Sequence, residues 1–151
     1  MLFRSVWTNQ TTSTQLGSDS TLALTPSTVS PGDVVVLSVT ATDTNSGTVS
    51  DTANVTTENT LPIISATTIT PGNGVTTSTT LTGSANASDP DGGTPTLSYV
   101  WTNQTTSTQL GSDSTLALTP STVSPGDVVG LGVTATGTNS GTVSDTATVT
   151  T

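Results

Sequence analysis

Asp89-Pro90-Asp91-Gly92-Gly93 is the stretch best placed to do chemistry. Two carboxylates flank a proline, and two glycines allow a sharp turn, so oxygen ligands could be presented to a hard cation such as Ca²⁺. The competing account is plain turn chemistry, in which Asp side chains cap nearby backbone N–H groups. Ca²⁺ wants 6–8 oxygens, so Glu58, Asp145 or backbone carbonyls would have to converge on Asp89 and Asp91. That shortfall favours the turn. Asp19, Asp33, Asp113 and Asp127 read as solvated surface charges.

The rest of the inventory points away from an enzyme. There is no His, Cys or Lys, so the usual general bases and activated nucleophiles are missing. Carboxylate pairs can hydrolyse glycosides, but every acid here falls in a turn or at a strand end. One Arg stands against ten acids, for a net charge of −9. Nucleic-acid binding and anionic membrane surfaces are thereby excluded, since both depend on Lys and Arg. No run approaches the ~20 apolar residues of a membrane-inserted span. Asn9, Asn54, Asn86 and Asn103 head Asn-x-Ser/Thr sequons. With 8 Asn and 61 Ser or Thr, roughly three would arise by chance, so their number carries no argument.

The elements that would position such residues follow from a repeat. Residues 6–35 recur letter for letter at 100–129, and the match extends over 52 pairs (6–57 with 100–151), 48 of them identical. A constant 94-residue offset is the mark of a tandem array. The chain divides into the C-terminal half of one repeat (6–57), a polar linker (58–62) and a complete repeat (63–151). Residues 1–5, Met-Leu-Phe-Arg-Ser, match neither the repeat nor its composition and supply the only Arg and Phe. Leu-Phe-Arg-Ser is also what the end of a common sequencing adapter encodes. These five residues are expected to be a truncation or assembly artefact, preceded in the full gene by more repeat.

Within the complete repeat, alternating apolar residues and Thr/Val enrichment predict short strands. They fall at 63–70, 76–88, 97–102, 115–118, 128–136 and 142–150, with turns at Pro71–Gly74, Asp89–Pro95, Ser124–Asp127 and Thr138–Gly141. Asn73-Gly74 suits a tight hairpin. Four positions differ between the copies: Val36/Gly130, Ser38/Gly132, Asp43/Gly137 and Asn54/Thr148. Val36 and Ser38 alternate with the unchanged Val35, Leu37, Val39 and Ala41, so the retained face packs a core and the variable face looks outward. Gly137 is expected to reflect the adjacent hairpin turn. Gly130 and Gly132 should loosen their strand.

Ser88–Trp101 (SDPDGGTPTLSYVW), followed by a Pro-Gly-Asp turn and a Leu-x-Val-Thr-Ala-Thr hairpin, resembles the PKD-type and related immunoglobulin-like or cadherin-like repeats of large prokaryotic surface proteins. The likeness covers 58–151, and its second half again over 6–57. It implies an all-β fold of tandem immunoglobulin-like antiparallel sandwiches, with Trp101 and Trp7 as the core Trp of the third strand. It also implies a non-enzymatic, extracellular or cell-surface role as an adhesin extender or fibre subunit, with neighbouring repeats or further copies as partners. Related repeats often bind Ca²⁺ at domain junctions, which is the cofactor Asp89 and Asp91 would take. Because the first copy lacks its first two strands, completion of 6–57 by residues 63–88 of another chain is a second route to a filament. The alternative function is a carbohydrate- or ice-binding module, since Thr-x-Thr runs such as Thr134–Thr136 and Thr146–Thr150 give regular hydroxyl rows.

Overall fold

The computed structural model describes all residues, 1–151. It contains eleven strands and no helix, hence no helix long and apolar enough to cross a membrane. The chain divides into two compact units, Met1–Thr60 and Leu61–Thr151.

Unit 1 is one antiparallel sheet of β1 (Leu2–Asn9), β2 (Thr14–Gly17), β3 (Val34–Thr42) and β4 (Thr48–Thr56), in the order β2-β1-β3-β4. Residues 2–5 belong to β1, with Leu2 opposite Thr42 and Ser5 opposite Val39. In β3, Val35, Leu37, Val39 and Ala41 share one face, and their partners Val55, Ala53, Asp51 and Val49 lie on the same side.

Unit 2 adds a second layer. β5 (Ile63–Thr70), β6 (Thr80–Ser88) and β9 (Thr115–Ala117) form one sheet. β7 (Thr96–Asn103), β8 (Thr108–Gly111), β10 (Val128–Thr136) and β11 (Thr142–Thr150) form the other, in the order β11-β10-β7-β8. First, second and fifth strands thus face third, fourth, sixth and seventh, the interleaving of an immunoglobulin-like sandwich in which the fourth strand pairs with the third. Ile69, Leu81 and Leu116 from one sheet meet Trp101, Leu131, Val133 and Val149 from the other. Alternation makes this work, since a period of two sends Val129, Leu131, Val133 and Ala135 inward together.

Two local expectations give way. Asn73-Gly74 does not close a tight hairpin: nine residues separate β5 from β6, and Val75 among them turns into the core. Burial of an apolar residue there outweighs the short turn. β8 is a strand the sequence reading missed, because its Thr-Gln-Leu-Gly is too short and mixed to show a period.

Val36 and Ser38, with Gly130 and Gly132, lie on the outward face of their strands as expected, and the pairing shows more. Val36 lies directly opposite Asn54, and Gly130 opposite Thr148, so two of the four changes are cross-strand neighbours. A Cβ on Gly130 would run into the Gln104 side chain, which lies over that part of the strand.

Candidate functional site: buried Asn–Asp pairs, an acidic turn and an open sheet face

Asp33 and Asp127 are not the solvated charges expected of them. Both are buried, as are Asn9 and Asn103, which are fully enclosed. Asn103 Nδ2 donates to Asp127 Oδ2 at 2.7 Å and to the Thr122 carbonyl at 3.3 Å. Its Oδ1 accepts from the Thr105 and Thr106 backbone N–H groups at 3.1 and 3.2 Å. Ser124 N–H completes the carboxylate's partners at 2.9 Å. Unit 1 repeats the arrangement, with Asn9 Nδ2 at 2.7 Å and Ser30 N at 2.9 Å from Asp33 Oδ2.

The chain uses these atoms to fasten the end of the Trp strand to the Pro-Gly-Asp turn before the next long strand. Asp suits the position because one carboxylate oxygen, Oδ2, has the charge and lone pairs to accept a turn N–H and a side-chain amide together. The last residue of each repeat joins in: Thr151 N donates to the Asp127 carbonyl and Thr151 Oγ1 to the Ser124 carbonyl. The one available signal was the fixed 24-residue spacing of Asn9/Asp33 and Asn103/Asp127. The sequons at Asn9 and Asn103 are consumed by this network, whereas Asn54 and Asn86 are exposed.

Backbone N–H donation from Ser30 and Ser124, and then the Asn amides, hold both carboxyls below the ordinary value of 3.8, while burial opposes them. Folding therefore favours the ionised form. That contribution is fully present above the unfolded value and is lost as pH falls through the lower, folded one. Thermal melts should be flat from neutral pH to about 5 and drop below about 4, with a shallower acid limb in Asp127→Asn. An unchanged acid limb in that variant would count against the assignment.

Asp89 and Asp91 lie in the turn after β6. Asp89 Oδ1 accepts the Asp91 N–H at 2.9 Å, and the Asp89 carbonyl accepts the Gly92 N–H at 3.0 Å. Asp89 Oδ2 is buried without a hydrogen-bond partner, and no third acidic residue, Glu58 and Asp145 included, joins the two. This donor set is far smaller than a Ca²⁺ shell requires.

Asp89 does explain Gly137. A Cβ on Gly137 would collide with Asp89 Oδ2, and Gly137 does not have the positive φ that would make glycine a turn requirement. Gly137 does sit at the hairpin turn, its N–H bonded to the Gly141 carbonyl at 2.8 Å, and crowding by the Asp89 carboxylate adds a constraint the turn alone does not impose. Unit 1 has no equivalent of the Asp89 loop, so Asp43 fits there and accepts the Asn45 and Gly47 N–H groups at 2.8 Å. Gly137→Asp should destabilise unit 2 by about 1–3 kcal/mol, and adding Asp89→Ala should recover most of the loss in a urea titration. Equal stability of the single and double variants would refute the crowding account.

The largest contrast between the units is a surface. Val149 is 6% exposed, but its counterpart Val55 is 55% exposed. Leu118 is 3% exposed and its counterpart Leu24 is 42%. Hollows of about 200 and 300 Å³ open on this face, the first against Trp7, Leu37 and Val55, the second against Leu37 and Val39. Trp7 still donates its indole N–H to the Asp19 carbonyl at 2.9 Å, as Trp101 does to Asp113 at 2.8 Å.

No family model and no curated protein sequence matches this chain. Among solved structures it is similar to the three N-terminal domains of the bacteriophage RB49 Highly Immunogenic Outer Capsid protein (Hoc), at 14% identity and a TM-score of 0.41. The match covers 99% of this chain and 48% of that one, so the chain spans about half the length of the structure it resembles.

Proposed function

We propose that this chain is a non-enzymatic, extracellular structural repeat of the PKD or a related immunoglobulin-like type, a length of stalk, surface array or filament. One observation carries the reading. Two nearly identical sequences 94 residues apart build the same four-stranded sheet, the same Trp–carbonyl hydrogen bond and the same buried Asn–Asp pair. The complete copy closes its own core. Nearest-neighbour repeats that each bury their own core supply reach in proportion to their number, and a catalytic centre is not needed for that. A net charge of −9 opposes lateral clumping.

Concatemers of residues 58–151 test it. Small-angle scattering should give a maximum dimension rising linearly by roughly 35–45 Å per added copy. Growth as the cube root of mass would mean a compact particle and would sink the proposal.

A further inference from the structure

The open face of the unit 1 sheet has a known cover, because the same inward residues are covered in unit 2. There, Trp101, Leu131, Val133 and Val149 are closed over by the hairpin of β5 and β6, with Ile69 and Leu81 packed into them. Their counterparts Trp7, Leu37, Val39 and Val55 are identical residues in the same register. We propose that this face is a seat for a β5–β6 hairpin, residues 63–88, donated by a second copy of this chain.

Three features select that occupant. Residues 63–88 contain no charged side chain, so the hairpin approaches an acidic chain without repulsion. The fit is also stereospecific. At Gly83 an added Cβ would lie 2.6 Å from Leu131 Cδ2 and 3.1 Å from Trp101 Cζ2. A strand laid over Trp7 and Leu37 must likewise offer a residue without a side chain at that point, with a Leu81-like anchor two residues before it. Finally, from Val6 and Val100 onward the seats differ only at Val36/Gly130, Ser38/Gly132 and Asn54/Thr148 on the outward face and at Asp43/Gly137 in the turn, while at the start of the central strand Phe3 and Ser5 stand where Leu97 and Tyr99 pack against the core. A hairpin leaving one seat therefore meets the same inward residues in the other from the Trp onward and loses only the Tyr99 and Leu97 contacts at one end. The seat stands on its geometry, independently of any extracellular role.

A synthetic peptide of residues 61–88 is the probe, added to the full chain. It should bind one per chain with a blue shift of Trp emission that disappears in Trp7→Phe and persists in Trp101→Phe. A Gly83→Val peptide should bind ~10–100-fold more weakly, the cost of overpacking at a contact this close. Oligomers formed by the chain at high concentration should dissolve as the wild-type peptide is added. Lack of binding, equal binding of the Gly83→Val peptide, or oligomers that the peptide cannot displace would overturn the proposal. The last result would mean that two open sheets stack face to face instead.

Discussion

Trp101→Ala should cost unit 2 about 3–5 kcal/mol, the range for removing a large aromatic from a closed core. A 91-residue unit holds on the order of 5–13 kcal/mol in total, so much of its stability would go. The melting temperature should fall by roughly 15–30 °C. Trp101 is fully buried, touches the Gly83 backbone position and donates to Asp113. The same substitution at Trp7 should cost unit 1 only about 1 kcal/mol, because that ring has a sheet on one side and solvent on the other. Urea titrations followed by far-ultraviolet circular dichroism would separate the cases. Similar losses at the two sites would mean that the open face of unit 1 is closed in solution.

Asn103→Ala should be the second large loss, about 2–4 kcal/mol, although Asn103 contributes no apolar surface. The substitution strands a buried carboxylate that has lost its amide donor at 2.7 Å, and it leaves the Thr105 and Thr106 N–H groups without their acceptor. Asn103→Asp is the sharper test. It sets a second carboxylate against Asp127, so this variant should gain stability on acidification through the range where the native chain is unchanged. The opposite pH trend would show that the pair is not the fastening described here. Asn9 and Asp33 should behave alike in unit 1, where the same distances recur.

The strand periods were legible because a sandwich buries alternate residues. Val129, Leu131, Val133 and Ala135 are inward, as their retention between copies implied. Strands 63–70, 128–136 and 142–150 have the bounds read from the sequence. The buried Asn–Asp pairs were not legible, because an Asp in a Pro-Gly-Asp turn looks the same whether its carboxylate meets water or an amide 24 residues away. Gly137 was legible as a residue at the turn, but not for its second neighbour. Asp89, whose carboxylate a Cβ at Gly137 would meet, is brought beside it only by folding.

Residues 21–23 and 115–117 carry the same sequence, Thr-Leu-Ala, yet only the second is a strand, β9, paired with β6. Local sequence determined which residues can extend, which faces are apolar and where the chain turns, since these depend on backbone sterics and side-chain alternation. The tertiary structure alone decided which extended segments become strands and which apolar faces become core. Both need a partner whose hydrogen bonds and contacts arrive from far along the chain.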